Sequence, residues 1–372
     1  MLITGVRTRV VASEARPWLF VEIETSDGTV GVGEGSQSRL DKGVAAQIDQ
    51  MRPGLLGKEP SDLINRLTAQ LSSNQFADRI TYTAHSAVEH ALWDLTGKEL
   101  GCPVWRLLGG KARDVIKVYA NLALATRGLG PEAFEDAASR AVTSGHRAVK
   151  IYPLGSAAAA GRVPTRSYSS SELMAVVDRV RATRDAVGAD VEVLVDCSWS
   201  LRTADAVRLC TALEPLGIHW FEEPFPGSGA RQLADLRRKV ATRIAAGEQL
   251  QTVRQFQALI GRRAVDVVMP DVKWVGGIAA ARAVAAIADA ADVEVAPHNM
   301  SGPVATAASI AVAATAPGIT FLELPFGADG VAAELIGGEL PVVNEGTVHV
   351  SDAPGLGVSW YPAVAEARAV RD

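Results

Sequence analysis

Six residues able to bind a cation or move a proton recur at a nearly even pitch in the second half of the chain. They are Asp196 after VEVLV, Glu222 after IHWF, Glu248 after IAAG, Asp271 after VVMP, His298 after VEVAP and Glu323 after ITFL. The successive gaps are 26, 26, 23, 27 and 25 residues. Asp196, Glu222 and Glu248 offer three hard oxygen donors, the set that suits Mg²⁺; zinc would call for His or Cys among them. Any one of these acids could instead cap the following helix, but three in register on neighbouring runs favour a shared cation. Glu223 alternates to the other side of its run and is expected to pair with a basic neighbour.

Asp271 and His298 fall on the next two runs. A carboxylate there can hold one imidazole nitrogen and leave the other as a base poised near neutral pH. Lys150, ending the earlier run RAVKIYP, reads as a rim salt bridge, a second charge for a substrate carboxylate, or a second base. Glu323 could donate a hydrogen bond if crowding keeps it protonated. These groups suit proton abstraction next to a carboxylate, a weakly acidic position that reacts only when a cation and charged donors stabilise the developing enolate. The other histidines (His85, His90, His146, His219 and His349) lack such neighbours and read as packing residues.

The pitch fits one strand, one helix and two short loops, a repeated βα unit. Two further runs, VIKVYANLAL and RAVKIYP, bring the strands to eight, the number that closes a parallel barrel whose chemistry sits at the strand C-termini. The gap from Lys150 to Asp196 is 46 residues. Its excess is GSAAAAGRVPTRSYSSS, expected to be a mobile rim loop before a helix beginning near Glu172. Ahead of the barrel, GVRTRVVA and WLFVEIETSDGTVGVGEGS read as strands with a hairpin turn at Ser26-Asp27-Gly28. From Asp41 to Leu108 the pattern is helical, with breaks near Pro53-Gly54 and Pro60 and a helix SAVEHALWDLTGKELG that stops at Gly101. A meander followed by helices implies a separate α+β domain. After Pro325 no further strand–helix unit is visible, and the tail 326–372 is expected to pack on the first domain or along the barrel.

Gly31-Val32-Gly33-Glu34-Gly35 resembles a dinucleotide loop but lacks the third glycine and the following crossover helix, so backbone crowding explains it better. Val275-Gly276-Gly277-Ile278, after Asp271, places backbone amides at a helix start on the active rim, where an anion would be favoured. A net charge of −5 with no basic stripe argues against nucleic acid. No apolar run is long enough to span a bilayer. The opening MLITGVRTRVV alternates like a strand rather than a signal peptide. Cys102, Cys197 and Cys210 show no CxxC spacing. A cytoplasmic homo-oligomer without a nucleotide cofactor is expected.

In order, SAVEHALWDLTGKELGCPVWRLLGG, VKIYP, LVDCSWS, WFEEP, AAGEQL, VMPDVKWVGGI, APHNMSGPVA and FLELP resemble the enolase superfamily, in particular its mandelate racemase subgroup and the acid-sugar dehydratases within it. The resemblance spans essentially the whole chain. It implies an α/β fold: a (β/α)₇β modified TIM barrel over 114–325 with an α+β capping domain over 1–113, to which the tail returns. By match, Asp196, Glu222 and Glu248 take the Mg²⁺-ligand positions, Asp271 and His298 the catalytic dyad, and Glu323 the position that hydrogen-bonds the substrate carboxylate. Racemases of the subgroup carry Lys-X-Lys on the second strand; here the stretch is Lys150-Ile151-Tyr152. Losing the second lysine weakens a two-faced racemisation, although Tyr152 could still be an acid/base group or line the pocket. A dehydratase needs one face only, so dehydration of a sugar acid to a 2-keto-3-deoxy acid is the leading expectation. The alternatives are racemisation or epimerisation of a 2-hydroxy acid, and a catalytically silent binding barrel. Capping-domain segments near Arg16-Pro17-Trp18 and over 72–83 are expected to select the substrate.

Overall fold

Alternating β-branched and aromatic residues build β1 (Ile3–Val11), β2 (Trp18–Thr25) and β3 (Val30–Glu34), an antiparallel sheet in that order. The β2–β3 turn places Gly28 at φ 84°, and Asp27 accepts the Thr29 N–H at 3.2 Å. Three helices follow: α1 (Asp41–Leu55), α2 (Pro60–Ser73) and α3 (Arg79–Glu99), then the single turn α4 (Val104–Leu107). Pro53, expected at a break, lies inside α1. It sits in the last turn, where its missing N–H removes only one bond before the helix ends. Asp78 caps α3 by accepting the Thr81 N–H at 2.9 Å. The glycine-rich end of β3 is a packing device: a Cβ on Gly33 would lie 1.8 Å from the Ala87 carbonyl oxygen of α3. The computed structural model describes residues 1–13, 16–155, 167–327, 330–336 and 340–370.

The barrel begins with β4 (Val115–Asn121), α5 (Pro131–Thr143), β5 (Ala148–Ile151) and α6 (Ser170–Val187). A capping box between Ser169 and Glu172 starts α6, close to the expected start near Glu172; of the expected rim loop before it, residues 156–166 lie outside the described residues. Then come β6 (Glu192–Asp196), α7 (Thr203–Leu213), β7 (Trp220–Glu222), α8 (Ala230–Arg237), β8 (Ile244–Ala246) and α9 (Val253–Gly261). The last units are β9 (Val267–Val268), α10 (Ile278–Asp289), β10 (Glu294–Val295), α11 (Pro303–Thr315) and β11 (Leu322–Pro325). The strands pair in parallel in the order β10-β9-β8-β7-β6-β5-β4-β11. A bridge from Val295 to Ile319 and the Thr320 N–H to Val295 oxygen bond at 3.0 Å close the ring. The result is a (β/α)₇β barrel beside a capping domain.

The chain beyond Pro325 is more structured than its sequence suggests. It adds α12 (Gly330–Leu335), β12 (Thr347–His349), antiparallel to the start of β4, and α13 (Pro362–Ala367). Trp360 Nε1 donates to Glu22 at 3.0 Å and the Val370 N–H to Val10 oxygen at 2.8 Å, so the tail packs on both the barrel and the first sheet. Among the described residues no helix is long and apolar enough to cross a membrane.

Inside the barrel, Tyr119, Ala148, Leu194, Trp220, Ala245, Val267, Met269 and Ala296 form a core of their own, with Phe321 packed against it. Side chains on a strand return to the same face every second residue. Two residues up from Tyr119, Ala148, Leu194, Trp220 and Phe321 stand Asn121, Lys150, Asp196, Glu222 and Glu323. The apolar layer is thus the floor of a polar one.

Candidate active site

Asp196 and Glu222 end β6 and β7 and face each other in register; Glu248 follows β8 by two residues. One carboxylate oxygen from each lies within 4.8 Å of the others, and all three side chains are buried. The Ser198 N–H fixes Asp196 at 2.7 Å and Trp220 Nε1 fixes Glu222 at 2.8 Å. Ser198, Trp199 and Glu223 adopt φ of 45°, 56° and 39°; such left-handed non-glycine backbone costs energy and clusters at functional sites. Burial, and after it the neighbouring carboxylates, pushes Glu222 well above the usual carboxylate range and raises Glu248. A buried, all-oxygen, converging donor set fits a hard divalent cation. Glu223 points away, accepting Trp199 Nε1 at 3.1 Å and the Gly247 N–H at 2.6 Å.

Lys150 is fully buried and clamped: its Nζ lies 2.6 Å from Glu222, 2.7 Å from Glu323 and 3.5 Å from Asp196. Burial alone would favour the neutral amine, but Glu222 and Glu323 outweigh it and hold the ammonium. Of the three sequence readings of Lys150, these contacts are those of the salt bridge. Glu323 is met by three donors. Its Oε1 accepts Asn121 Nδ2 at 2.5 Å as well as Lys150, and its Oε2 accepts the Asn299 N–H at 2.7 Å. Burial would raise its pKa, yet Lys150 and His298 dominate and bring it to about 2. In this arrangement Glu323 accepts from Asn121 Nδ2 and the Asn299 N–H and pairs with Lys150. Tyr152 is half-buried, its hydroxyl accepting Asn121 Nδ2 at 2.7 Å; burial drives its pKa well above the ordinary phenol value, so it keeps its proton.

Asp271 and His298 follow β9 and β10 by three residues each and meet at 2.8 Å between Oδ2 and Nδ1. That contact turns Nε2 toward the carboxylates, 3.4 Å from Glu248 and 3.8 Å from Glu323. Burial lowers the imidazole's pKa, but Glu248, Glu323 and Asp271 together raise it above its ordinary value. Trp274 packs on the imidazole with ring centroids 5.2 Å apart, and the Arg79 guanidinium lies 4.4 Å from the Trp274 ring centre. Arg79 reaches in from the start of α3, inside the segment expected to select substrate, and donates to Gln249 Oε1 at 2.6 Å. Arg16, in the other expected segment, bonds through its guanidinium to the Met300 carbonyl, two residues beyond His298.

One expected anion site is filled from within. The Ile278 and Ala279 N–H groups at the start of α10 donate to Glu89 of α3 at 2.9 and 3.0 Å, and the Gly276 N–H to Ser86 Oγ at 3.2 Å. Sequence reasoning missed Asn121, Asn299 and Lys273. Asn121 could have been found, because it ends the first barrel strand as the named acids end theirs; Lys273, inside an apolar run, gave no such signal.

Comparison with known proteins agrees with this architecture. Residues 4–109 match the mandelate racemase/muconate lactonizing enzyme N-terminal domain, and residues 133–364 match the enolase C-terminal domain-like family. A D-gluconate dehydratase of Thermoproteus tenax is 32% identical over 94% of this chain and 69% of its own length. A D-xylonate dehydratase of Haloferax volcanii is 32% identical over 99% of this chain and 89% of its own. The solved structure of a mandelate racemase/muconate lactonizing enzyme-like protein from Rubrobacter xylanophilus superposes with a TM-score of 0.89, at 32% identity, covering 100% of this chain and 98% of that one.

Proposed function

Because the chain belongs to the mandelate racemase/muconate lactonizing enzyme family of the enolase superfamily, we propose that it is a Mg²⁺-dependent hydro-lyase that dehydrates a sugar acid to a 2-keto-3-deoxy acid. The observation that carries this reading is the aim of His298: Asp271 holds Nδ1, and Nε2 faces the three-carboxylate cluster from 3.4 Å. Asp196, Glu222 and Glu248 would hold Mg²⁺, whose charge, when bound, favours ionisation of the carbon next to the substrate carboxylate. His298 Nε2 takes the α-proton while Asp271 keeps the Nδ1–H tautomer and stabilises the imidazolium. The α-C–H electron pair becomes the new C=C bond as the β-C–O bond breaks. The proton on Nε2 then passes to the departing hydroxyl, releasing water, and the enol so formed tautomerises to the keto acid. Lys150, fixed between Glu222 and Glu323, contributes positive charge without taking a proton.

That clamp supports the one-faced reaction over racemisation, which needs a free base on the opposite face. Tyr152 keeps its proton, so its place in this reaction is as a donor to a substrate oxygen. Both sugar-acid dehydratases named above favour a hydroxylated monoacid as substrate. A cytoplasmic homo-oligomer is the assembly that goes with this reading.

The test is a library of mono- and diacid sugars incubated with MgCl₂, with keto acid read as its semicarbazone and the α-proton followed in D₂O. Keto acid from wild-type protein, abolished by EDTA and by His298→Asn, is the expected result. Deuterium at the α-carbon with mass otherwise conserved and no keto acid would replace dehydration by epimerisation. Absence of any turnover, with no thermal response to Mg²⁺, would favour a silent binding barrel.

A further inference from the structure

Lys273 is a second buried lysine at the site, and the reaction described above does not use it. It lies two residues after Asp271 in the segment joining β9 to α10, and its side chain is 1% exposed. A buried ammonium is costly unless its hydrogen bonds are met. Here its Nζ lies 3.1 Å from Asp271 Oδ2 and donates to Ser301 Oγ, while its backbone N–H donates to Asp271 Oδ1 at 2.7 Å. Asp271 Oδ2 is the same oxygen that holds His298 Nδ1, and Ser301 lies three residues beyond His298 in the loop leading into α11. One ammonium therefore ties the carboxylate of the dyad to the loop that carries its imidazole.

The loop is pinned from its other side as well. Glu34, at the end of β3, accepts the Gly302 N–H at 2.7 Å and the Ala305 N–H at 2.9 Å. Between Glu34 and Lys273 the segment 301–305 is tied at both of its faces. Both residues are buried.

We infer that Lys273 is a positioning residue of the dehydration, bridging Asp271 Oδ2 and Ser301 Oγ so that His298 keeps Nε2 aimed at the carboxylate triad. The inference rests on the reading of His298 as the base. Removing the ammonium leaves Asp271 Oδ2 held by His298 alone, with Oδ1 still on the backbone N–H of residue 273, and unties the imidazole loop at Ser301; displacements on the 1 Å scale cost about 100-fold in rate at such sites.

The test compares Lys273→Met, Lys273→Arg and Ser301→Ala with wild type, using kcat, KM, the α-deuterium isotope effect on kcat, and crystal structures. Lys273→Met is expected to lower kcat about 10- to 100-fold with KM nearly unchanged. The isotope effect should rise as C–H cleavage becomes limiting, and Lys273→Arg should recover part of the rate. Ser301→Ala removes the other end of the bridge with little change in volume; it should move the same quantities in the same direction, and it serves if Lys273→Met does not fold. Crystals of the variants should show the Asp271–His298 contact lengthened or rotated. Unchanged dyad geometry, with kcat per folded molecule equal to wild type, would overturn the inference and leave Lys273 as a core ion pair. If wild-type protein dehydrates no sugar acid, the functional reading fails on its own, and the crystal structures still decide whether the bridge holds the dyad.

Discussion

Glu89 of the capping helix caps the barrel helix that follows the Asp271 loop: its two carboxylate oxygens accept the Ile278 and Ala279 N–H groups at 2.9 and 3.0 Å. Trp93 Nε1 adds a third donor at 2.8 Å, and the side chain is fully buried. Burial pushes Glu89 up to about 7, against these donors. A Cβ on Gly277 would come 2.4 Å from Glu89 Oε2, so the glycine at φ 94° makes room for the carboxylate as well as for the turn. The capping domain and the catalytic loop are thereby one polar unit.

Glu89→Gln keeps the shape but turns an amide donor toward a backbone N–H. The expected cost is about 1–3 kcal/mol, the range for disrupting a buried charge-assisted hydrogen bond. Urea unfolding of wild type and variant at one pH measures it; a difference within 0.5 kcal/mol, roughly the scatter of neutral surface changes, would show that the cap contributes little.

The site residues were legible where the chain repeats itself. A strand end recurring every 23 to 27 residues marks the rim without any knowledge of contacts, and the pairing of β6 with β7 and of β9 with β10 follows from consecutive βα units. Protonation was not legible. Glu323 was read as a donor only if crowding kept it protonated, and the groups that bear on its charge, Lys150, Asn121 and the Asn299 N–H, are donors that pitch alone does not aim. The Gly276-Gly277 turn looked open because its occupant, Glu89, lies 189 residues away from Ile278. Lys273 was missed because a lysine in an apolar run ordinarily carries its charge out to water, and only the folded contacts show it turned inward.

Asp196→Asn tests the cation. Ligand binding to the folded state stabilises it by about 2.7 kcal/mol at a hundredfold excess over Kd, so the Tm of wild type should rise by a few degrees as MgCl₂ is added. The variant loses one of three charged donors and should show most of that rise abolished at the same concentrations. An equal Mg²⁺ response in both proteins would remove Asp196 from the ligand set.

His90 provides a pH signature of the folded capping domain. It is fully buried, and burial lowers its pKa from 6.5 to about 4. Above pH 6.5 the imidazole is neutral in both states and its contribution is fully present. As pH falls toward 4 the unfolded chain takes up the proton first, so that contribution is lost, by about 3 kcal/mol from the size of the shift. Asp41 and Glu89 are pushed up by burial to about 6 and about 7 and act with the opposite sign, losing stability as pH rises. Comparing wild type with His90→Leu cancels them. The stability of wild type relative to the variant should fall between pH 7 and pH 4.5 in urea titrations; a constant difference would mean that His90 titrates alike in both states.

Arg79 is a capping-domain cation held against the Trp274–His298 stack, which makes its contact with an anionic substrate testable. Its guanidinium stacks on Trp274, which in turn packs on the His298 ring, and Gln249 fixes it through both the side-chain and backbone oxygens at 2.6 and 3.0 Å. Holding the fork in place before substrate arrives lowers the ordering cost of each hydrogen bond it makes. A charge-assisted hydrogen bond to substrate is worth about 1.5–3 kcal/mol, so Arg79→Met should reduce kcat/KM by roughly 10- to 100-fold. Because the interaction is made on binding, most of the loss should fall on KM. The salt dependence of kcat/KM should also flatten, since one steering charge at the mouth is gone. Arg79→Lys keeps that charge but not the fork, and should restore the salt dependence while leaving KM high. If Arg79→Met leaves KM and the salt slope unchanged and only lowers Tm, Arg79 is a structural stack on Trp274 and the substrate is met by other groups, with Arg16, bonded to the Met300 carbonyl, the next to test.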